Sequence, residues 1–209
     1  MACDLTREHA LRARGFFLVA GVDEAGRGPL AGPVVAAAVI LPADFALDGL
    51  TDSKKVPAAR REKIFTVLAT HPGVAWATCL ATVEEIDRHN ILRATHLAMA
   101  RAVRALPARP DHALVDGLPV RDLPVPHSAL VGGDALSLSI AAASIMAKVT
   151  RDRLMVALDA EYPQYGFARH KGYGVRQHLE ALRHHGPCPV HRRSFAPVGQ
   201  AEAALQAAS

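Results

Sequence analysis

The sequence contains no hydrophobic run long enough to cross a membrane. Its longest unbroken apolar run covers residues 34–41, whereas a membrane-spanning helix needs about 20 such residues. Near the N-terminus, where a secretory signal peptide carries an apolar stretch, the chain has Asp4, Arg7, Glu8 and Arg12. We therefore expect no membrane partner and a cytoplasmic protein.

Cysteine is also scarce. The three cysteines, Cys3, Cys79 and Cys188, are odd in number and none lies in C-x-x-C spacing. This pattern argues against a disulfide framework and against a thiolate zinc site. The eleven histidines include no H-E-x-x-H motif, so we assign no zinc site to them either.

Aromatic residues and net charge are low as well. Aromatics make up 5% of the chain and the formal net charge is +4. This mild basicity is compatible with a polyanionic partner but does not require one. Hydrophobic residues reach 50%, which excludes a disordered chain. The length of 209 residues fits one domain, or one domain with a small appendage.

Strands and helices alternate along the predicted structure. Short apolar runs bounded by glycine and proline predict strands at residues 16–22, 34–41, 74–82, 113–115 and from about 129. Apolar residues at helical spacing predict one helix to about residue 106, beginning at Thr82 or at Asn90, and a second over Leu138–Glu161. We predict a mixed α/β core over residues 1–160 and a small helical, basic C-terminal extension over residues 161–209, packed on that core.

Two adjacent acids, Asp23 and Glu24, end an otherwise uncharged apolar run, and Gly26, Arg27 and Gly28 follow them. The glycines let backbone amides approach a sugar-phosphate, and the arginine offers a fork for phosphate. Because a cation reconciles carboxylates with phosphate at one place, this pattern favours Mg²⁺ or Mn²⁺. Strand alternation would separate the two acids, so we expect the strand to lose its regularity at Glu24. The alternative is a hairpin loop with solvated acids.

Two further acids, Asp116 and Asp134, occupy similar places. Asp116 closes the strand at 113–115 and precedes a glycine, which is also typical of an Asp-Gly turn. Asp134 follows two glycines and precedes a helix, which is also typical of a helix N-cap. Asp23, Glu24 and Asp116 nevertheless all lie at carboxyl ends of strands, where α/β sheets place their ligands. Four such acids are suited to a two-metal centre for phosphoryl transfer.

At these residues the sequence resembles the ribonuclease HII family. The resemblance extends from residue 21 to residue 198 in ordered motifs, which are residues 23–33 (DEAGRGPLAGP), 52–55 (DSKK), 90–92 (NIL), 115–117 (VDG), 133–134 (GD), 139–152 (SIAAASIMAKVTRD), 170–174 (HKGYG) and 192–195 (RRSF). Gly132 and Val175 depart from the usual pattern, where lysine and threonine are frequent. Neither departure removes one of the acids.

The resemblance implies a ribonuclease H-like mixed β-sheet flanked by helices. It implies an endonuclease that hydrolyses the RNA strand of RNA–DNA hybrids and nicks 5′ of ribonucleotides embedded in DNA, leaving 3′-hydroxyl and 5′-phosphate ends. Manganese or magnesium is the implied cofactor, and a monomer the implied state. The implied catalytic and metal-binding residues are Asp23, Glu24, Asp116 and Asp134.

The resemblance also assigns substrate contacts. Gly26, Arg27 and Gly28 would contact the ribose 2′-hydroxyl, the group that distinguishes RNA from DNA, and Tyr173 would stack on the following deoxy sugar. Lys54 and Lys55 would lie near the nucleic-acid backbone, although a solvated charge pair is equally compatible with them. The long helix carries residues with either a supporting or a substrate-contacting role, which are Ser139, Ser144, Lys148, Arg151 and Asp152. For Asp152, between two arginines, ion pairing is the better explanation.

Two other functions remain open from the sequence. A hybrid-binding protein would use the same basic segment and Gly26–Gly28 loop with purely structural acids. Another two-metal nuclease on a related sheet would cut without needing a 2′-hydroxyl. A histidine-based ribonuclease mechanism is disfavoured, although help from a nearby histidine stays possible.

Overall fold

The structure is a computed structural model that describes residues 3–208, so Met1, Ala2 and Ser209, which the predicted ranges include, lie outside the described residues. A five-stranded sheet forms its centre, with strands β1 (Val19–Ala25), β2 (Val34–Ile40), β3 (Ala75–Ala81), β4 (His112–Asp116) and β5 (His127–Leu130). The α-helices are α1 (Thr6–Arg12), α2 (Ala58–Thr70), α3 (Val83–His89), α4 (Ile91–Arg104), α5 (Leu138–Glu161), α6 (Phe167–His170), α7 (Arg176–His185) and α8 (Ala196–Ala208).

The sheet is mixed, and its strand order is β3-β2-β1-β4-β5. Strand β2 pairs antiparallel with β1 and with β3, whereas β4 runs parallel to both β1 and β5. Helix α5 covers one face of the sheet and helix α4 covers the other. This arrangement confirms the predicted α/β class with helices on both faces.

Helix α5 lies unusually close to the central strand β1. A Cβ atom added to Gly21 would collide with the backbone of Ser139 and Ile140. The facing turns of the helix carry small residues, among them Ala141, Ala142 and Ala143, all fully buried. Small side chains on both sides therefore allow this close approach.

On the opposite face, the predicted helix from Thr82 or Asn90 is two helices. Thr82 caps α3 in a capping box with Glu85. Asn90 then caps α4 by accepting a hydrogen bond from the Arg93 N–H, with a φ of 66° that interrupts the helical path. Both predicted start signals are used because the backbone turns between them.

The structure corrects the expectation for the strand that carries Asp23 and Glu24. Strand β1 begins at Val19 and continues through Ala25 instead of covering residues 16–22. Asp23 and Glu24 pair in register with Ala37 and Ala36 of β2. The expected irregularity at Glu24 is therefore wrong, because antiparallel pairing with β2 holds the strand to its end. The fifth strand also lies earlier than predicted, at His127–Leu130.

The C-terminal segment packs on the core through its own apolar clusters. Tyr165 and Phe167 pack with Met155 of α5, and Val198 of α8 packs with Leu182 of α7. The predicted long helix over Leu138–Glu161 is confirmed. The division of the chain at residue 160 stays a prediction. Within residues 3–208 no helix is long and apolar enough to span a membrane, and Cys3, Cys79 and Cys188 are free thiols.

We expect Gly21→Ala to destabilise the protein by at least about 3 kcal/mol, because the new methyl group meets helix backbone that has no room to move. Gly199→Ala is the matched control, since a Cβ there comes no closer than 3.4 Å to the Arg193 carbonyl oxygen. Urea unfolding of both variants measures the difference. If Gly21→Ala lowers the free energy of unfolding by less than about 1 kcal/mol, β1 and α5 can move apart at little cost, which would contradict this prediction.

Acid should destabilise the fold through His191, which is buried in the C-terminal segment. Burial and the neighbouring His178 lower its pKa to about 4, whereas histidine in an unfolded chain titrates near pH ~6.5. The unfolded chain therefore takes up the proton first as the pH falls. The stabilisation is complete above pH ~6.5 and is lost as the pH falls from there towards the folded pKa, with about 2 kcal/mol gone at pH ~5.

Urea unfolding at about pH 7.5 and about pH 5 measures this loss, and a His191→Gln variant should lose about 2 kcal/mol less than the native protein between the two conditions. Equal losses in the two proteins would contradict a neutral, buried His191.

Candidate active site

Parallel pairing of β1 with β4 places two of the predicted acids side by side. Val22 is in register with Val115, so Asp23 and Asp116 follow at the same edge of the sheet. The carboxylate of Asp116 accepts a hydrogen bond from the Gly133 N–H at 2.7 Å, which ties the next strand connection to this edge. Asp134 lies directly after Gly133. The fold therefore gathers acids from three separate segments of the chain.

Asp23 and Glu24 lie on opposite faces of β1, as regular alternation requires. Asp23 is buried on the face covered by α5. This burial raises the pKa of Asp23 more than the nearby Ser144 hydroxyl lowers it. Glu24 lines a small cleft with His96 of α4 and Asp116, and it also lines the larger cleft described below. The two carboxylates therefore leave the end of β1 on opposite faces.

The site concentrates negative charge in a poorly solvated place. Burial raises the pKa of Asp23 well above its usual range, and the charges of Glu24 and Asp116 raise it further. Burial also raises the pKa of Glu24, against the attraction of Arg27. The pKa of Asp134 is raised by burial and then by the carboxylates of Asp52 and Asp116. Like charges held together in this way destabilise one another unless a cation lies among them.

The donor set fits a hard divalent cation, because oxygen ligands of net negative charge are what Mg²⁺ and Mn²⁺ prefer. Across residues 3–208, however, no three His, Cys, Asp or Glu side chains converge closely enough to enclose an ion. Protein donors occupy the acids instead. Asp23 accepts from the Glu24 N–H at 2.7 Å, and Glu24 pairs with Arg27 at 3.3 Å. Coordination would exchange these donors for the ion.

The alternative interpretations of Asp116 and Asp134 are resolved differently. Gly117 has the positive φ of 82° that is typical of an Asp-Gly turn. Asp116 also forms, together with Asp23, the acidic edge of the sheet. Asp134 lies in a short 3₁₀ turn, Gly133–Ala135, and the N-cap of α5 is Ser137, whose hydroxyl accepts from the Ile140 N–H. The N-cap interpretation of Asp134 is therefore wrong.

A cleft of about 400 Å³ opens beside the acids. Its lining brings together the predicted loop and its predicted partners, namely Glu24, Gly26, Arg27, Gly28, Lys54 and Tyr173. Tyr173 is 46% exposed, so its ring is accessible from the cleft. A Cβ atom at Gly28 would lie 3.5 Å from its ring, which places the ring directly beside the loop.

The neighbouring residues Lys54 and Lys55 lie in different surroundings. Burial alone would lower the pKa of Lys54, but the combined attraction of the acids raises it, and the contributing residues are Asp23, Asp52, Asp134 and Asp116. Lys54 therefore faces the acidic edge. Lys55 instead lies 3.7 Å from Asp52 with its side chain mostly exposed, which matches the alternative of a solvated charge. Asp52, whose carboxylate also accepts from the Lys54 N–H at 2.9 Å, is a nearby acid that the sequence prediction did not include.

Two buried arginines hold the loop from beneath. The Arg192 guanidinium donates to the carbonyl oxygens of Gly26, Arg27 and Gly32. The Arg151 guanidinium donates to the carbonyl oxygens of Ala31, Pro33 and Lys171. Burial lowers the pKa of Arg192 to about 9 and that of Arg151 to about 10, so both remain charged at neutral pH. The motif over residues 192–195 contained Arg192, but no sequence signal linked it to the distant loop.

The other polar residues of α5 support the cleft. Ser144 donates to the Ser53 hydroxyl at 2.9 Å. The expected ion pairing of Asp152 is confirmed, although its partners are Lys148 at 2.6 Å and Arg61 at 3.7 Å and not the flanking arginines. Ser139 donates to the buried carboxylate of Glu8, which ties α1 to the start of α5. The burial of Glu8 could not be predicted from its residue type or spacing.

Comparisons with known proteins identify the family. The family model described as Ribonuclease HII matches residues 20–198. A ribonuclease HII of Desulfitobacterium hafniense is 56% identical over 196 residues, which cover 94% of this chain and 75% of the relative.

Solved structures agree with this assignment. The ribonuclease H2 of Pyrococcus horikoshii has a TM-score of 0.78 at 29% identity, and the match covers 90% of this chain and 98% of that one. Bst-RNase HIII, solved in complex with Mn²⁺, shares the fold with a TM-score of 0.65 at 21% identity, over 91% of this chain and 70% of that one. These structures confirm the expected ribonuclease H-like fold. The chain therefore belongs to the ribonuclease HII family and is a ribonuclease H, an endoribonuclease of the hydrolase class.

Proposed function

We propose that this ribonuclease cuts RNA–DNA hybrids and nicks duplex DNA immediately 5′ of an embedded ribonucleotide, leaving 3′-hydroxyl and 5′-phosphate ends. The observation that carries this proposal is the position of the acidic edge. Asp23 and Asp116 lie on neighbouring parallel strands, and Glu24 lines the same cleft as the Gly26–Gly28 loop and Tyr173. A scissile phosphate in this cleft has carboxylates on one side and a ribose-sensing surface on the other.

Asp23, Glu24, Asp116 and Asp134 would hold Mg²⁺ or Mn²⁺ in a two-metal arrangement. When bound, the ions supply an activated water and stabilise the leaving oxygen. Burial and the neighbouring carboxylates raise the pKa values of Asp23, Glu24 and Asp134, and a cation among these acids would offset the cost of burying like charges together. Lys54, which faces the same acids, would help to hold the phosphate, and Lys55 would contact the backbone further out.

Discrimination between ribose and deoxyribose would come from the loop and Tyr173. Arg192 holds the carbonyl groups of Gly26 and Arg27 from below, which leaves the rest of the loop backbone to meet a 2′-hydroxyl. The half-exposed ring of Tyr173 beside Gly28 would stack on the adjacent deoxy sugar. An aromatic face has no partner for a hydroxyl group, so this pair would select an RNA-to-DNA junction.

The proposed partners are therefore RNA–DNA hybrids and DNA containing ribonucleotides. The exposed N-terminal part of α4, including Leu92, would face the DNA strand. We further propose that the chain acts as a monomer in the cytoplasm, in keeping with its free thiols.

The direct test uses a labelled DNA duplex with one ribonucleotide, incubated with Mn²⁺ or Mg²⁺. We expect a single nick 5′ of the ribonucleotide, none in an all-DNA duplex, and a loss of more than about a hundredfold in rate for Asp116→Asn, because the substitution removes an anionic ligand. Asp44→Asn, at an exposed acid away from the cleft, should keep the native rate. Mapping of the product ends on a gel measures all of these.

Each alternative function has its own outcome in this assay. Binding of the duplex without cleavage by the native protein would indicate a hybrid-binding protein with structural acids. Cleavage of the all-DNA duplex would indicate a nuclease that does not sense the 2′-hydroxyl. Cleavage by Asp116→Asn at the native rate would contradict the proposed role of the acids.

Arg192→Lys should impair cleavage through the loop. An ammonium group cannot replace a guanidinium fork that serves three carbonyl groups, so we expect kcat/KM at a ribonucleotide junction to fall by about tenfold or more, and the free energy of unfolding to fall by about 2 kcal/mol. Arg193→Lys is the matched control, because Arg193 is a surface residue paired with Glu202. Steady-state kinetics and urea unfolding measure both effects, and similar behaviour of the two variants would contradict the assigned role.

A further inference from the structure

A buried chain of hydrogen bonds ends on the backbone of Tyr173. The Nδ1 atom of His178 lies 2.9 Å from the Tyr173 carbonyl oxygen, and its Nε2 atom lies 3.0 Å from Nε2 of His191. The Nδ1 atom of His191 lies 3.0 Å from the Cys188 backbone nitrogen and 3.1 Å from its Sγ. Both rings are essentially inaccessible to solvent.

The two ends of this chain fix the proton on each ring. A carbonyl oxygen only accepts, so Nδ1 of His178 carries the hydrogen and its Nε2 is bare. Nε2 of His191 must then donate to it, which leaves Nδ1 of His191 bare to accept from the Cys188 N–H. If either ring took up a second proton, two donors would face each other at one of these contacts. Both rings are therefore neutral, and the donation runs from Cys188 to Tyr173.

A third histidine holds the residues just before Tyr173. His170 stacks on His178 with ring centroids 4.6 Å apart. Its Nε2 atom lies 2.8 Å from the Tyr165 carbonyl oxygen, so this nitrogen donates, and its Nδ1 accepts from the Gly172 N–H at 3.2 Å. The Tyr173 N–H donates in turn to the His170 carbonyl oxygen at 3.0 Å.

These contacts matter because Tyr173 has little local restraint of its own. It lies between Gly172, at a φ of 82°, and Gly174. Glycines on both sides leave the backbone free to redirect the ring. The direction of the ring towards Gly28 therefore depends on the partners of the Tyr173 backbone, and its carbonyl oxygen accepts both from His178 and from the Val175 N–H.

We propose that His178 and His191 are positioning residues for Tyr173, whose ring they hold beside the Gly26–Gly28 loop, and that cleavage at a ribonucleotide junction depends on this support. The inference rests on the proposed function, since it assigns to Tyr173 a role on the substrate. The histidines themselves are buried and do not line the cleft.

Two substitutions of His178 separate support from simple packing. The amide nitrogen of asparagine lies near the place of Nδ1, so His178→Asn keeps a donor for the Tyr173 carbonyl group, whereas the longer glutamine in His178→Gln moves its donor away. We expect His178→Gln to lower kcat/KM at a ribonucleotide junction by about tenfold, the value of one lost hydrogen bond, and His178→Asn to recover most of that loss.

A double-mutant cycle with Tyr173→Ala tests whether the effect passes through the ring. His178→Gln should cost about tenfold in the native background but less than about twofold once Tyr173 is alanine, because the group it positions is gone. An equal loss in both backgrounds would overturn the proposal and leave His178 a packing residue. Unfolding curves of the four proteins show whether each is folded under the assay conditions.

The chain of hydrogen bonds through His178 and His191, the histidine relay, can be tested without measuring enzyme activity. In a ¹⁵N-labelled native protein, long-range ¹H–¹⁵N spectra should show the proton on Nδ1 of His178 and on Nε2 of His191. The opposite tautomers, or a doubly protonated ring at neutral pH, would overturn the proposal. If the native protein fails to cut any ribonucleotide-containing duplex, the proposed function fails instead. The same cycle, measured as Kd for that duplex, then decides whether His178 acts through Tyr173.

Discussion

The parallel pairing of β1 with β4 is the constraint on which the rest of this enzyme depends. It brings Asp23 and Asp116 to one edge of the sheet, where burial and the charges of Glu24 and Asp116 raise the pKa of Asp23, an arrangement that costs free energy and persists because the surrounding core imposes it. The core does so through the close packing of α5 on β1 at Gly21 and through α4 on the other face. The proposed catalytic carboxylates are thus positioned by packing at a distance from them.

Two positively charged arginines lie beneath the cleft next to this acidic edge. The guanidinium groups of Arg151 and Arg192 are buried and donate hydrogen bonds to backbone carbonyl groups. Arg192 fixes the Gly26–Gly28 loop and Arg151 fixes the chain just after it, while the hydrogen bonds through His178 and His191 fix the backbone of Tyr173. The surface that we propose to face the substrate is therefore held by groups that lie beneath it. Negative charge for a cation and positive charge near a phosphate then occupy adjacent parts of one cleft.

Local sequence signals predicted the parts of the fold that depend on local physics. The ends of α5, the caps at Thr82 and Asn90 and the acids at strand ends all followed from residue type and spacing. The continuation of β1 through Ala25 did not, because it depends on the partner strand β2. Arg192 reaches a loop more than 160 positions away in sequence, and the relay joins residues from α7 and the following turn. Such contacts are set by tertiary packing, which residue spacing does not report.

We propose that the edge formed by Asp23 and Asp116 binds a divalent cation. Calorimetric titration of the native protein with Mn²⁺, in the absence of nucleic acid and beside Asp116→Asn and Asp44→Asn, tests it most directly. We expect saturable binding by the native protein and by Asp44→Asn, and a loss of affinity in Asp116→Asn. Equal binding by all three proteins, or none by the native protein, would contradict it.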